Sequence, residues 1–177
     1  MPERELNATA ASLLGLLHDG PMTGWDLVIT AQRKIGNFWT LTQSQVYREL
    51  ARMTETGLVT VGVPGPRDRK PYTITDAGRA AFTGWLAGDP APDQLRVPLL
   101  LTILFAEHLP PGRLTEILTT QRAAHVRRLA EYQRHEQELR AAPRSATTAA
   151  RLATLRFGIR HEQAALDWFD ELPDLLN

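Results

Sequence analysis

The residues from Thr42 to Tyr72 constrain the fold of this chain more than any other stretch. Thr42 is followed three positions later by a glutamine, which is the capping-box signal for the start of a helix. Apolar residues then recur at helical spacing as far as Gly57, a residue type that often ends helices. Two β-branched segments follow, 58–63 and 71–74, with proline, glycine and basic residues between them. This order predicts one amphipathic helix followed by a β-hairpin with a basic tip.

Three further helices are predicted around this stretch. The first spans residues 6–17 with Asn7 as its N-cap, and the second begins after Thr23. Thr75 is placed to cap another helix directly after the hairpin. Three helices, a hairpin and a fourth helix within residues 1–87 have the order of a winged helix-turn-helix, which places one helix in a DNA groove.

The second half of the chain is predicted to be a separate helical domain. Residues 88–96 contain two prolines and a glycine and predict a linker, followed by a domain over residues 97–177. The apolar run from Val97 to Ala106 is shorter than the ~20 residues that span a membrane, so we expect a buried helix there. The predicted fold is mainly α with a small β-hairpin: an N-terminal winged helix-turn-helix and a C-terminal helical dimerisation domain.

Polar and basic side chains cluster on the outward face of the predicted third helix and at the hairpin tip. The first residues of such a helix read base edges, where Gln pairs with adenine and Ser or Thr with several bases. Basic side chains on the hairpin can bind phosphates or the minor groove. The candidate DNA-binding residues are Thr42, Gln43, Ser44, Gln45, Tyr47, Arg48, Arg52, Arg67, Arg69 and Lys70.

The overall charge gives this hypothesis no general support. The chain has 20 basic and 20 acidic residues and a formal net charge of +0, so affinity for double-stranded DNA must come from a local basic patch. A polar helix face is often simply solvated, and helix-turn-helix units also serve as protein-binding modules. A protein-interaction adaptor without DNA binding is therefore the alternative hypothesis.

An apolar line along the last predicted helix indicates a second functional surface. Its spacing is heptad-like, with Glu162 as the one polar exception. The line can form a homodimer, in which two winged modules read a palindromic operator about one helical turn apart. Packing within one chain against residues 99–105 is an equal alternative. The candidate dimer-interface residues are Leu152, Leu155, Ile159, Leu166 and Phe169.

Aromatic residues around the second predicted helix indicate a possible ligand site. With apolar residues of the helix after the linker, they can border a cavity between the DNA-binding unit and the helical arm. Such aromatics belong to a core at least as often as to a pocket. A small aromatic or apolar effector would suit this cavity, and the candidate pocket residues are Trp25, Phe38, Trp39, Leu99 and Ile103.

The sequence contains no recognisable catalytic or metal-binding motif. It has no cysteine, and neither of its two His-Glu pairs has a second histidine four residues after the first. His108, His125, His135 and His161 show no ligand spacing, and we expect them to be solvated. We therefore expect no enzymatic activity, no metal and no cofactor. The first residues lack a secretory signal, so a cytoplasmic protein without membrane contact is expected.

Five sequence blocks resemble the PadR family of bacterial transcriptional regulators: Leu14-Gly-Leu-Leu17, Gly20-Pro-Met-Thr-Gly-Trp25, Val46-Tyr-Arg-Glu-Leu50, Glu55-Thr-Gly-Leu58 and Tyr72-Thr-Ile-Thr-Asp-Ala-Gly-Arg79. The helical second half is similar to the C-terminal domain of the longer PadR subgroup. This resemblance implies a homodimer that represses promoters, with relief by a small molecule in some members. The chain departs from the family pattern at Trp25, where tyrosine is usual, and at residues 43–45 of the reading helix.

Overall fold

The computed structural model describes residues 6–36, 38–63, 65, 69–93 and 95–176. The described chain divides into two compact units, Met1–Ala91 and Pro92–Asn177. Its elements in chain order are α1 (Ala8–Leu17), β1 (Met22–Thr23), α2 (Gly24–Ile35), α3 (Gln43–Glu55), β2 (Val59–Val61), β3 (Pro71–Ile74), α4 (Asp76–Ala87), α5 (Pro98–Leu104), a 3-10 turn (Ala106–His108), α6 (Arg113–Ala141) and α7 (Ala146–Leu176).

Side-chain caps start α1, α2, α3 and α4 at the residues that the sequence predicts. Oδ1 of Asn7 accepts a hydrogen bond at 2.8 Å from a backbone N–H in the first turn of α1. Thr23 and Thr42 each form a complete capping box at the starts of α2 and α3. The hydroxyl of Thr75 caps α4 in the same way. These bonds satisfy N–H groups that every helix start leaves unpaired, and the four predicted starts are confirmed.

The predicted hairpin belongs to a three-stranded antiparallel sheet with the strand order β1-β3-β2. We call β2, β3 and the turn between them the wing. The additional strand β1 pairs Met22 with Tyr72. β1 is not predictable from the sequence, because a two-residue strand directly before a helix start has no alternation to detect. β2 is also shorter than the predicted strand over residues 58–63, whereas β3 matches its prediction.

The core of the first unit fixes which face of α3 is exposed. Val46, Leu50 and Met53 are fully buried, as their spacing predicts. Burying one leucine side chain stabilises a fold by about 1.5–3 kcal/mol, so this face cannot easily turn outward. The core consists of Ala10, Leu13, Leu14, Leu16, Leu17, Leu27, Ala31, Val46, Leu50, Met53, Val59 and Ile74.

α5 is not the buried helix that the apolar run from Val97 to Ala106 predicts. None of its residues is buried, and Leu101 and Leu104 are 61% and 71% exposed. A short apolar helix becomes buried only where another element covers it, which the sequence pattern does not reveal. We call Leu100, Leu101, Leu104 and the adjacent Phe105 the α5 patch. No helix in the described parts of the chain, α5 included, is long and apolar enough to cross a membrane.

α6 and α7 pack along each other and form most of the second unit. The ring of Phe169 on α7 lies 5.4 Å from the imidazole of His125 on α6. α6, and not residues 99–105, is thus the main partner of α7 within the chain. The predicted apolar line is largely covered in the single chain: Leu155, Ile159 and Phe169 are buried, and Leu152 and Leu166 are half-buried.

Glu162 lies in this line and is buried with its carboxylate paired. Its two oxygens lie 2.6 Å from Nδ1 of His125 and 3.1 Å from Nε of Arg128, and both nitrogens belong to α6. The side chain of His125 is 16% exposed, so the prediction that this histidine is solvated is wrong. Burial, and then the nearby Glu162 carboxylate, raises the pKa of the Tyr132 hydroxyl.

Candidate nucleic-acid interface

The start of α3 carries polar side chains, and the capping box already uses two of them. Oε1 of Gln45 accepts a hydrogen bond from the backbone N–H of Thr42 at 2.9 Å and lies 3.0 Å from its hydroxyl. A bidentate contact to adenine needs both the oxygen and the nitrogen of an amide. In Gln45, only the amide nitrogen is still available to a base. Gln43 is exposed, and neither its amide oxygen nor its amide nitrogen bonds to a described residue. Ser44 is exposed beside it, with its hydroxyl 3.1 Å from that of Thr42.

Arg48 lies one turn further along the exposed face of α3. Its side chain forms no ion pair or hydrogen bond with any residue that the structure describes. Val46 and Leu50, two positions before and after it, are fully buried in the core and hold the helix in place. A guanidinium in this position has all five N–H donors available for a guanine edge or a phosphate.

Tyr47 lies at one edge of this face, where α3 meets the start of α2. Its ring packs on Gly24 so closely that a Cβ atom there would lie 2.7 Å from two ring carbons. Burial, and to a lesser extent the neighbouring Tyr47, raises the pKa of the Tyr72 hydroxyl on β3. Gly24 was not among the predicted site residues, because nothing in the sequence pattern shows which side chain approaches a glycine. α2, α3 and the wing therefore meet around Tyr47.

Arg52 lies at the opposite edge of the face and is already paired. Its Nη2 atom lies 2.9 Å from Oε2 of Glu49, one turn earlier on α3. Glu49 is buried, and Nδ2 of Asn7 donates a hydrogen bond to its Oε1 at 3.3 Å. Glu49 was not among the predicted site residues, although its position three residues before an arginine is a signal for an ion pair. About a third of the Arg52 side chain remains exposed.

The wing presents basic side chains near its turn. Arg69 and Lys70 are exposed, and Arg67 lies outside the described residues. Two backbone hydrogen bonds extend the hairpin towards the tip, from Gly62 N–H to the Pro71 carbonyl at 2.7 Å and from Gly65 N–H to the Arg69 carbonyl at 2.8 Å. The described part of the wing is thus an ordered hairpin that ends in cations.

The five candidate pocket residues belong to different units. Trp25 and Phe38 are about half-exposed in the first unit, and the indole N–H of Trp39 is buried there with no hydrogen-bond partner among the described residues. Leu99 and Ile103 are half-buried on α5 in the second unit.

A separate cleft of about 400 Å³ lies inside the second unit, where the first turns of α6 face the last turns of α7. Its walls are mostly apolar, and Arg122 contributes a cation that pairs with Asp170 at 2.9 Å. The described residues contain no group of three or more His, Asp or Glu side chains that could hold a metal ion. The apolar lining residues are Leu114, Leu118, Phe169, Leu172, Pro173 and Leu176.

Comparison with known proteins gives two adjoining family matches. Residues 13–84 match the Transcriptional regulator PadR-like family, and residues 95–177 match the family Virulence activator alpha C-term. The probable transcriptional regulator Rv1176c of Mycobacterium tuberculosis is 32% identical over 180 residues, covering 93% of this chain and 95% of that protein. The chain belongs to the PadR-like family of transcriptional regulators. The predicted membership and the longer, two-domain subgroup are confirmed.

Two further proteins are similar along most of the chain. The negative transcriptional regulator PadR of Bacillus subtilis is 28% identical over 134 residues, covering 73% of this chain and 74% of PadR. The virulence activator AphA of Vibrio cholerae has a solved structure with a TM-score of 0.74 and 28% identity, covering 96% of this chain and 98% of AphA. The predicted fold class, a winged helix-turn-helix with a helical second domain, is thereby confirmed.

Solved structures of Bacillus subtilis PadR show it with two different ligands. Its complex with operator DNA has a TM-score of 0.76 at 24% identity and covers 99% of this chain and 100% of that chain. Its complex with p-coumaric acid has a TM-score of 0.70 at 25% identity and covers 96% of this chain and 98% of that chain. The matched family consists of transcriptional regulators and not of enzymes, as the sequence predicts.

Proposed function

We propose that this chain is a cytoplasmic homodimeric repressor that binds a palindromic operator through α3 and the wing of each copy. One observation carries the proposal: α3 turns a clean apolar face into the core, leaves Ser44 and Arg48 exposed on the other side, and exposes Gln43 at its first position. The negative regulator PadR of Bacillus subtilis and its complex with operator DNA support the same role for this chain.

We assign the candidate DNA-binding side chains different tasks at the duplex. Thr42, Gln43, Ser44 and the amide nitrogen of Gln45 would face base edges in the major groove, since recognition helices read bases with their first residues. Tyr47 and Arg52, at the two edges of α3, would bind phosphates, which position the protein without reading sequence. On the wing, Arg67, Arg69 and Lys70 would lie along the neighbouring minor groove, where negative potential attracts cations.

If Arg48 binds a guanine edge, Arg48→Ala is expected to weaken operator binding by about 1–3 kcal/mol. This free-energy change corresponds to a loss of affinity of about 5- to 150-fold. Stability should be unchanged, because Arg48 has no partner among the described residues. A gel shift with DNA from upstream of the protein's own gene measures the loss. Arg134→Ala removes an exposed arginine from α6 and should bind as the wild type does. Equal binding by both variants would contradict the assignment of Arg48.

We infer a homodimer because a single winged module contacts only a few bases, whereas two identical modules can read a palindromic operator. Leu155, Ile159 and Phe169 have little surface left for a partner, because the chain itself buries them. The α5 patch and the half-buried Leu152 and Leu166 are better suited to an interface in the second unit. A large exposed apolar patch is typical of a protein–protein contact.

Light scattering at micromolar concentration is expected to give twice the chain mass of 19.8 kDa. Leu104→Glu should move the mass towards that of one chain, because it places a charge in the α5 patch. Val63→Glu introduces the same charge at an exposed apolar position of the wing, and this variant should still have the mass of a dimer. A wild-type protein with the mass of one chain would refute the dimer.

We propose that a small aromatic or apolar molecule relieves repression. The complex of Bacillus subtilis PadR with p-coumaric acid supports this class of ligand. Trp25, Phe38 and Trp39 of the first unit remain candidates for binding this molecule, and so do Leu99 and Ile103 of the second unit. The indole N–H of Trp39 has no hydrogen-bond partner among the described residues and can donate to a carboxylate or a hydroxyl. Tryptophan fluorescence titration with a panel of aromatic acids tests the idea. Quenching that also releases bound DNA would support it, and no response to any compound would count against it.

A further inference from the structure

Glu49 carries a buried charge on α3, between the core face and the exposed face. The residue is 7% exposed. No hydrogen bond from a described residue reaches its Oε2 atom, and the ion pair with Arg52 at 2.9 Å compensates the charge there. A buried carboxylate that loses its cation is strongly unfavourable. The positions of Glu49 and Arg52 are therefore tied to each other.

We propose that Glu49 is a positioning residue for DNA binding, which holds the guanidinium of Arg52 at the edge of α3 so that it binds an operator phosphate. The inference rests on the proposed function, in which α3 is the DNA-binding helix. Arginine has five N–H donors in a planar fork, and the contact with Oε2 uses one side of that fork. The exposed remainder can bind a phosphate. A guanidinium that is already held loses less conformational freedom on binding than a free one.

Asn7 extends this arrangement to α1. Its Oδ1 atom caps α1 by accepting a hydrogen bond from Ala10 N–H at 2.8 Å, while its Nδ2 atom donates to Glu49 at 3.3 Å. One side chain thus fixes both the start of α1 and one oxygen of the buried carboxylate. The orientation of Arg52 therefore depends on how α1 packs against α3.

A purely structural ion pair is the competing explanation, and salt dependence separates the two. If Arg52 only neutralises Glu49, its loss removes no phosphate contact. If Arg52 binds a phosphate, its loss lowers the slope of log K against log salt concentration by about 0.9. Between about 50 and 200 mM salt, that change alters the affinity ratio of wild type to variant by about 3.5-fold.

The test measures operator affinity by fluorescence anisotropy across this salt range for the wild type, Arg52→Gln, Glu49→Gln and the double variant. We expect each single variant to lower the slope by about 0.9 and the double variant to lower it no further, because both remove the same contact. Arg151→Gln removes an exposed charge from α7 and should keep the wild-type slope. The inference would be overturned if a folded Glu49→Gln variant kept the wild-type salt slope, or if it bound the operator more tightly than the wild type at every salt concentration.

Asn7→Ser provides a second variant in case Glu49→Gln does not fold. Serine is a good N-cap, so α1 keeps its start, but its short side chain cannot reach Glu49. We expect this variant to lower the slope as well, and an unchanged slope would reject the role of Glu49. Failure of the wild type to bind any duplex would instead reject the proposed function as a whole.

Discussion

Replacing Glu162 by alanine is expected to lower the free energy of unfolding of the helical unit by about 3 kcal/mol. The carboxylate is 4% exposed and pairs with His125 at 2.6 Å and Arg128 at 3.1 Å. Breaking a buried ion pair costs about 3–5 kcal/mol, and the lower end applies because Arg128 is partly exposed and can turn to water. Urea denaturation followed by far-UV circular dichroism measures the change.

Glu116→Ala is the matched control on α6. Glu116 also pairs with an arginine, Arg113 at 3.0 Å, but both side chains are more than half exposed. An exposed pair contributes at most about 1 kcal/mol, so this variant should unfold almost as the wild type does. Similar losses in Glu116→Ala and Glu162→Ala would contradict a special role for the buried carboxylate.

Gly78→Ala is expected to destabilise the winged unit by about 1–3 kcal/mol or more, because overpacking typically costs this much. A Cβ atom at this position of α4 would overlap the backbone carbonyl of Leu58 and lie 3.0 Å from Cγ1 of Ile74. Backbone cannot move aside as a flexible side chain can, so α4 and the base of the wing must separate. Operator binding should weaken together with stability, because the wing is displaced.

Gly84→Ala is a control within the same helix. A Cβ atom there meets nothing within 4 Å, and alanine is a better helix former than glycine by about 1 kcal/mol. This variant should therefore be as stable as the wild type or slightly more stable in thermal unfolding. The account of Gly78 fails if the two substitutions shift the melting temperature in the same direction.

Local sequence signals were sufficient to predict the helix starts and the buried face of α3. Asn7, Thr23, Thr42 and Thr75 cap the helices because a side-chain oxygen only has to reach an N–H two or three residues away. The spacing of apolar residues defines the outward face of α3 in the same local way. The candidate DNA-binding residues were chosen from the same local signals, at the start and on the outward face of the predicted helix and beside the predicted hairpin turn, and they stay a prediction.

Features that depend on distant contacts could not be predicted in this way. Glu49 and Gly24 shape the edges of the interface, but their partners on α1 and α3 become neighbours only after folding. His125 was expected in solvent because its carboxylate partner lies 37 residues later in the chain. α5 was expected to be buried because its residues are apolar. An apolar sequence indicates a tendency towards burial, but it does not show whether another element packs over the helix.

The exposed face of α3 is the central element of the proposed function, and selection of duplexes from random DNA tests it most directly. The account predicts enrichment of an inverted repeat whose half-sites are about one helical turn, or 10–10.5 base pairs, apart. It further predicts that Arg48→Ala protein loses this preference at specific bases. Recovery of no common sequence, with equally weak binding of every duplex even at low salt, would contradict it.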